Sequence, residues 1–121
     1  MTDVVTVPCA RCGSEAAKFS LLPPRPTDKS PQHALLRTGF IVAVTKFGAA
    51  AELRRLLEMI RAADYSAARG VDADFVAFHC RACERSYCER CWRTGPPEFD
   101  EGFYDLTRAT CPEGHVQVVD D

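Results

Sequence analysis

The chain has 121 residues, 46% of them hydrophobic, and a formal net charge of −2 at neutral pH. This length fits one domain with its own apolar core, and the slightly acidic balance argues against a general nucleic-acid binder, which needs clustered lysine and arginine. No apolar run approaches the ~18 residues of a membrane span, and Met1–Pro8 lacks the basic and apolar segments of a secretory leader. We therefore expect a cytoplasmic protein in a reducing compartment, away from membranes. Twelve arginines against three lysines, with sixteen alanines, are typical of a GC-rich bacterial genome.

Short strands and one irregular connection are predicted in the first third of the chain. Residues Lys18–Leu22 predict a short strand. The four prolines between Pro23 and Gln32 predict an irregular loop. Phe40–Thr45 is rich in β-branched and aromatic residues, which predicts a buried strand.

The clearest regular element is an amphipathic helix from about Ala49 to Arg69. Apolar side chains recur at helical spacing along one face, and Gly70 follows where a left-handed C-terminal cap belongs. The apolar face consists of Leu53, Leu56, Leu57, Ile60, Ala63 and Ala67. We expect this face to pack on the preceding strand, and a surface for a partner protein is the alternative.

Two aromatic segments follow the helix. Val71–Cys80 contains Phe75 and Phe78 and predicts a strand. Pro96–Asp105 is acidic and aromatic and predicts a loop, in which we expect Phe99 and Phe103 to be anchors on the core. An aromatic loop tip that recognises a partner is the alternative.

The cysteines dominate the sequence, because all seven fall into close pairs and His115 completes the fourth pair. A spacing of two or three residues lets one tight turn direct two side chains at a single ion, and structural Zn²⁺ takes four sulfur or imidazole ligands. Eight ligands predict two structural zinc ions, whose removal should unfold the chain. The pairs are Cys9 and Cys12, Cys80 and Cys83, Cys88 and Cys91, and Cys111 and His115.

Two points about the cysteines stay open from spacing alone. Disulfides in a secreted protein are the alternative to zinc, although an odd number of thiols and the missing leader argue against them. The pairs could also fill the two sites in sequential order or alternately, with the first pair joined by the third. Both arrangements satisfy the chemistry of zinc.

The fourteen residues from Phe78 to Cys91 resemble the central segment of FYVE domains, in which a His-Cys-Arg-x-x-Cys run precedes a second C-x2-C pair. The segment is also similar to AN1-type fingers. The resemblance implies a treble-clef or cross-brace-like α+β domain with interleaved pairs, elaborated by an insertion at residues 13–79 that carries a strand and the amphipathic helix. It places Cys9, Cys12, Cys88 and Cys91 in one site, and Cys80, Cys83, Cys111 and His115 in the other.

Residues beside the ligands have both structural and functional interpretations. Trp92 is expected to cover a zinc site, and an exposed contact for a partner, together with Arg90 and Arg93, is the alternative. His79 is expected to be a partly exposed strand residue, and a hydrogen bond to a thiolate or service as a substitute ligand is the alternative.

An enzyme is not expected, because every cysteine is assigned to metal, and at the turn from Cys111 to His115, which contains Glu113, the fourth ligand of the zinc is already supplied. The sequence favours a structural zinc protein that binds another protein. One alternative is a RING-like module that recruits a conjugating enzyme. Another is a nucleic-acid-binding finger that uses the arginines near the knuckles, which are Arg81, Arg85, Arg90 and Arg93.

Overall fold

Antiparallel strands and short helices build the protein in the computed structural model, which describes residues 3–24 and 32–121. The first sheet has four strands that neighbour one another in sequence order. They are β1 (Val4–Pro8), β2 (Glu15–Leu22), β3 (His33–Thr38) and β4 (Val44–Gly48). The strand predicted at Lys18–Leu22 is therefore confirmed, as the second half of β2.

Helices follow the first sheet. Helix α1 (Ala50–Arg61) and helix α2 (Tyr65–Val71) lead into a 3-10 turn at Asp74–Val76. A two-stranded ribbon, β5 (His79–Cys80) and β6 (Arg85–Ser86), comes next. The chain ends in a three-stranded sheet of β7 (Arg93–Asp100), β8 (Phe103–Thr110) and β9 (Val116–Asp120), in that order. The expected α+β class is confirmed.

The apolar core lies between the first sheet and the helices. Strand β2 buries Phe19 and Leu21 at alternating positions, as a strand with one face on a core does. Helix α1 buries the predicted leucines and Ile60. The ring of Phe19 lies 5.3 Å from that of Phe75 and 5.8 Å from that of Phe78, between ring centroids. The part of the predicted apolar face that lies in α1 is therefore core, as expected, whereas Ala63 is exposed and Ala67 is half-buried.

The strand predicted at Phe40–Thr45 is wrong. Residues 40–43 form a bend, and the strand begins only at Val44. Gly39 and Ile41 both have positive φ (87° and 53°), which turns the chain sharply after β3 and directs Phe40 into the core at 1% exposure. The apolar run therefore reflects burial at a bend rather than extended structure.

The single helix predicted over residues 49–69 is two helices. Ala63 has a φ of 59°, its N–H donates to the Ile60 carbonyl, and the Asp64 N–H donates to the Met59 carbonyl. This is the Schellman pattern that ends a helix, here without the usual glycine. Asp64 then caps α2 by accepting a hydrogen bond from the Ala67 N–H at 3.2 Å. Gly70 lies inside α2, so its predicted capping role is wrong.

Two further predictions are corrected. Residues 71–78 end α2 and form the 3-10 turn, so the strand predicted at Val71–Cys80 is reduced to His79–Cys80. The loop predicted at Pro96–Asp105 is the distal part of the β7–β8 hairpin. Phe99 and Phe103 are not anchors, because they are 64% and 78% exposed.

Most of the predicted proline-rich loop lies at residues 25–31, outside the described residues. Among the helices that the structure describes, none has the length and apolar character needed to cross a membrane.

Candidate metal centres

All four ligand pairs lie in turns that the backbone closes. The Gly13 N–H donates to the Cys9 carbonyl at 3.0 Å, and the Glu84 N–H donates to the Cys80 carbonyl at 2.9 Å. The Cys91 N–H donates to the Cys88 carbonyl, and the Gly114 N–H donates to the Cys111 carbonyl, both at 2.9 Å. Each turn brings the two side chains of its pair to the same side of the chain.

The first cluster contains the thiols of Cys9, Cys12, Cys88 and Cys91. The Sγ atoms of Cys12 and Cys88 are 3.5 Å apart, and those of Cys9 and Cys91 are 3.6 Å apart. A disulfide has an S–S length of about 2.05 Å, so these thiols are not bonded to one another. Separations of this size match the edges of a tetrahedron of sulfurs around an ion at about 2.3 Å.

The second cluster contains the thiols of Cys80, Cys83 and Cys111 with the imidazole of His115. The His115 Nδ1 lies 3.1 Å from the Cys83 Sγ and 3.5 Å from the Cys111 Sγ. The Sγ atoms of Cys83 and Cys111 are 3.6 Å apart. The donor set is therefore three sulfurs and one nitrogen.

The grouping in the structure is the interleaved one, in which the first pair meets the third and the second meets the fourth. Its cause is the β5–β6 ribbon. Cys80 ends β5 and Cys83 lies in the turn of the ribbon, and the chain returns along β6 before Cys88. The Ala10 N–H donates to the Ser86 carbonyl at 2.8 Å, which brings the first knuckle to the end of β6 rather than to its turn.

Side chains next to the ligands are buried. Trp92 is 3% exposed, and its Nε1 donates to the Phe78 carbonyl at 3.1 Å. Trp92 is therefore buried beside a ligand, as its expected covering role requires, and the surface of Trp92, Arg90 and Arg93 loses its aromatic member. His79 is 4% exposed and stacks on Tyr65 with ring centroids 4.0 Å apart, so the expectation of a partly exposed residue is wrong.

The ring nitrogens of His79 contact side chains other than the cysteine thiols. Nδ1 is 2.9 Å from the Ser86 hydroxyl, and Nε2 is 3.4 Å from a Glu84 carboxylate oxygen. Burial lowers the pKa of His79, which favours the neutral ring. His79 thus supports the ribbon between the two clusters, and His115 is the imidazole at the second cluster.

Two residues that the sequence did not single out connect separate elements: Gln117 joins β9 to the chain around Cys80, and Arg37 joins β3 to the 3-10 turn. Gln117 on β9 donates to the carbonyls of Ala77 and His79, and its side-chain oxygen accepts from the Arg81 N–H at 3.1 Å. Arg37 is 1% exposed and donates to the carbonyls of Asp74 and Val42. Their sequence contexts carry no signal of these roles, because both act on carbonyls that are distant in the sequence.

The thiols of each cluster differ in acidity. Hydrogen bonds from the Ser14 side chain and backbone lower the pKa of Cys12 to about 6, whereas burial and neighbouring thiols raise the pKa of Cys91 to about 12. In the second cluster, burial raises the pKa of Cys83 to about 11. Four thiols this close cannot all ionise without repulsion, and a divalent cation removes that conflict. The donor chemistry of both clusters fits a metal ion.

The arginines near the knuckles are divided between two surfaces. Arg90 and Arg93 line a groove of ≈320 Å³ with Arg11, next to Cys91 of the first cluster and Cys111 of the second. Arg81 lies by a separate cavity with Arg69. Glu113 is exposed in the turn of the fourth pair.

Comparison with known proteins assigns a family. A family model described as a domain of unknown function, DUF8328, matches residues 1–121. The chain belongs to the DUF8328 family. No curated protein and no solved structure matches it. The two clusters, each able to hold a metal ion, are thus features of a DUF8328 chain, and its function must be argued from its own residues.

Proposed function

We propose that the protein is a structural zinc-binding module that acts by binding another protein. The observation that carries this proposal is the composition of the two clusters, four thiols in one and three thiols with one imidazole in the other. Both donor sets are those of structural zinc sites, and each already has four ligands. With the ions bound, the module is a cross-brace: the first and third ligand pairs form one site, and the second and fourth pairs form the other.

A structural rather than catalytic role follows from the closed coordination. Catalytic zinc keeps a position for water or substrate, but four protein ligands occupy every position of a tetrahedron. With zinc bound, the four-thiolate site carries about −2 and the other about −1, because the ligands bind deprotonated. The arginines of the groove between the sites offset part of this charge.

The interaction role is supported by the exposed end of the β7–β8 hairpin. Phe99, Phe103 and Tyr104 are 64%, 78% and 44% exposed, although they are close together. Aromatic side chains dominate the energetics of protein interfaces. A cluster of them on a projecting hairpin is a surface that a partner can bury.

Metal analysis of protein purified under reducing conditions tests the zinc assignment. We expect two zinc ions per chain, and loss of ordered structure in the sheet β7–β9 when a strong chelator removes them. One ion or none, in fully reduced and folded protein, would contradict the assignment.

Site-specific photocrosslinking tests the interaction role. A photoreactive phenylalanine analogue is placed at position 103 in cells that produce the protein. Illumination is expected to crosslink the protein to one discrete protein partner. The same analogue at Phe47, which is 64% exposed on β4, is the matched control. Equal labelling from both positions, or none from position 103, would argue against the hairpin as the interaction surface.

A further inference from the structure

The end of the β7–β8 hairpin presents aromatic rings on both of its faces. Phe99 lies opposite Tyr104, with ring centroids 6.2 Å apart, and Phe103 is the neighbour of Tyr104 in β8. Because successive strand residues point to opposite faces, Phe103 lies across the hairpin from the other two rings. Tyr104 is held by a hydrogen bond from its hydroxyl to the Asp120 carboxylate at 2.7 Å. The tip is therefore an ordered wedge with two apolar faces.

The tip is also acidic. Residues 98–106 contain four carboxylates and no lysine, arginine or histidine. Glu98 forms an ion pair with Arg108 at 2.5 Å. In the described part of the chain, Asp100, Glu101 and Asp105 have no ion-pair partner. The positive φ values of Glu101 and Gly102 (51° and 85°) form the tight turn that places these carboxylates around the wedge.

A groove of the opposite charge lies at the other end of the same hairpin. Arg11, Arg90 and Arg93 line it, all three are exposed, and no described carboxylate lies within ion-pair distance of them. Arg93 is the first residue of β7 and Asp100 is the last. At the rise of a strand, the groove and the tip are about 23 Å apart along one hairpin.

We propose that the partner of the tip is a second copy of this chain, and that the tip of each copy occupies the arginine-lined groove of the other. Since tip and groove are at opposite ends of one hairpin, two copies placed antiparallel about a two-fold axis form both contacts at once. Such an isologous pair is closed and does not extend into a filament. The inference rests on the proposed interaction role, whose partner it names.

The contact uses side chains rather than strand pairing. Pro96 and Pro97 lie in the middle of β7, the edge strand of its sheet, and neither has an N–H for a further strand. Arginine guanidinium groups stack on aromatic faces and bind carboxylates, so the groove matches both features of the tip. An anionic membrane or a nucleic acid would instead be repelled by the carboxylates that surround the rings.

Sedimentation of the zinc-loaded full chain over a range of concentrations tests the proposal. We expect a reversible dimer in about 50 mM salt that weakens at least about tenfold in about 500 mM salt, because the contact joins opposite charges. Phe103→Ser is expected to weaken dimerisation by about tenfold or more. Phe47→Ser is the matched control and should leave the dimer unchanged. A zinc-loaded chain that stays monomeric at low salt overturns the proposal.

Charge reversal supplies a second, stricter measurement. Asp100→Lys with Glu101→Lys on the tip, and Arg11→Glu with Arg90→Glu in the groove, should each abolish the homodimer. Mixing the two variants should restore a heterodimer, since both tip contacts are then complementary: the reversed tip meets the reversed groove, and the native tip meets the native groove. The matched control is Glu52→Lys with Arg55→Glu on the exposed face of α1, which should dimerise like the wild type. A dimer that survives both reversals overturns the proposal.

Two other outcomes are distinct. In the first, the zinc-loaded chain is a monomer that binds a labelled single-stranded oligonucleotide, and Arg11→Glu with Arg90→Glu abolishes that binding. This result assigns the groove to nucleic acid and overturns self-association. A chain that folds without zinc overturns the metal part of the proposed function, whereas self-association is judged separately by sedimentation. Zinc content, measured on every variant, separates these failures from misfolding.

Discussion

The first and last sheets of the protein are stabilised in different ways. The sheet β1–β4 packs Phe19, Leu21 and Leu35 against the leucines of α1. In the sheet β7–β9, Ala109 and Val119 are the buried strand residues. The ends of that sheet are joined instead to the ligand turns, at Arg93 after the first cluster and at Cys111–His115 within the second. An apolar core thus supports one sheet, and the turns of the two ligand clusters position the other.

The contrast between the sheets explains why a chain with an adequate core would also carry two candidate metal sites. Burial of apolar surface stabilises the first sheet wherever the rest of the chain lies. The second sheet buries too little to order itself, because an isolated hairpin is marginal in water. The clusters attach it to the core through short turns, which leaves both faces of the hairpin tip free for a partner.

Metal removal should give the largest effect and the sharpest test of this comparison. In a strong chelator we expect the amides of β7–β9 to lose their protection from hydrogen exchange, while β2, β3 and α1 keep measurable protection. Structural zinc contributes on the order of 10 kcal/mol to small domains, more than the second sheet gains from burial. Simultaneous loss of protection in both sheets would contradict this difference between them and show that the chain unfolds as one cooperative unit.

Single ligand replacements should separate the two clusters. Cys111→Ser is expected to leave one zinc per chain and to destabilise the last sheet by on the order of 5 kcal/mol or more, because the second site no longer closes. Cys12→Ser should also leave one zinc, but should release the first knuckle from the turn at Cys88–Cys91. Hydrogen exchange with metal analysis measures both. Glu113→Gln, in the same turn as Cys111, should keep both ions.

A core replacement should lower the stability of the protein without removing either zinc ion. Phe19→Ala is expected to lower the free energy of unfolding by about 3 to 5 kcal/mol, because it leaves a cavity beside Phe75 and Phe78. Denaturant unfolding measures the loss, and zinc content under native conditions should stay at two. Phe47→Ala, at a position 64% exposed, should change stability by less than about 0.5 kcal/mol. Equal losses from the two variants would contradict the assigned core.

The smallest expected effect is at the buried arginine. Arg37→Met should cost about 1 to 3 kcal/mol, because the carbonyls of Asp74, Phe40 and Val42 lose a donor inside the protein. Burial already lowers the pKa of Arg37, so part of the cost of a buried charge is recovered when methionine replaces it. Denaturant unfolding beside Arg55→Met, an exposed control, measures the difference. A more stable variant would show that the charge costs more than its hydrogen bonds contribute.

Several features of the structure could be predicted from local sequence patterns. The strand in β2, the apolar face of α1 and the four close pairs could be predicted because each depends on residues within a few positions of one another. The burial of Trp92 was also expected. The break at Ala63 was missed because alanine takes the left-handed conformation there, where glycine is the usual signal. The β7–β8 hairpin was missed because its prolines and acids are typical of loops.

Composition and short spacing were enough to identify the sulfur and imidazole donors and the presence of an apolar core. The tertiary structure decided which pairs meet, that Arg37 is buried, and that Phe99 and Phe103 remain exposed. The physical reason is distance along the chain. Cys9 and Cys91 are 82 positions apart, and whether they meet depends on the path of every element between them.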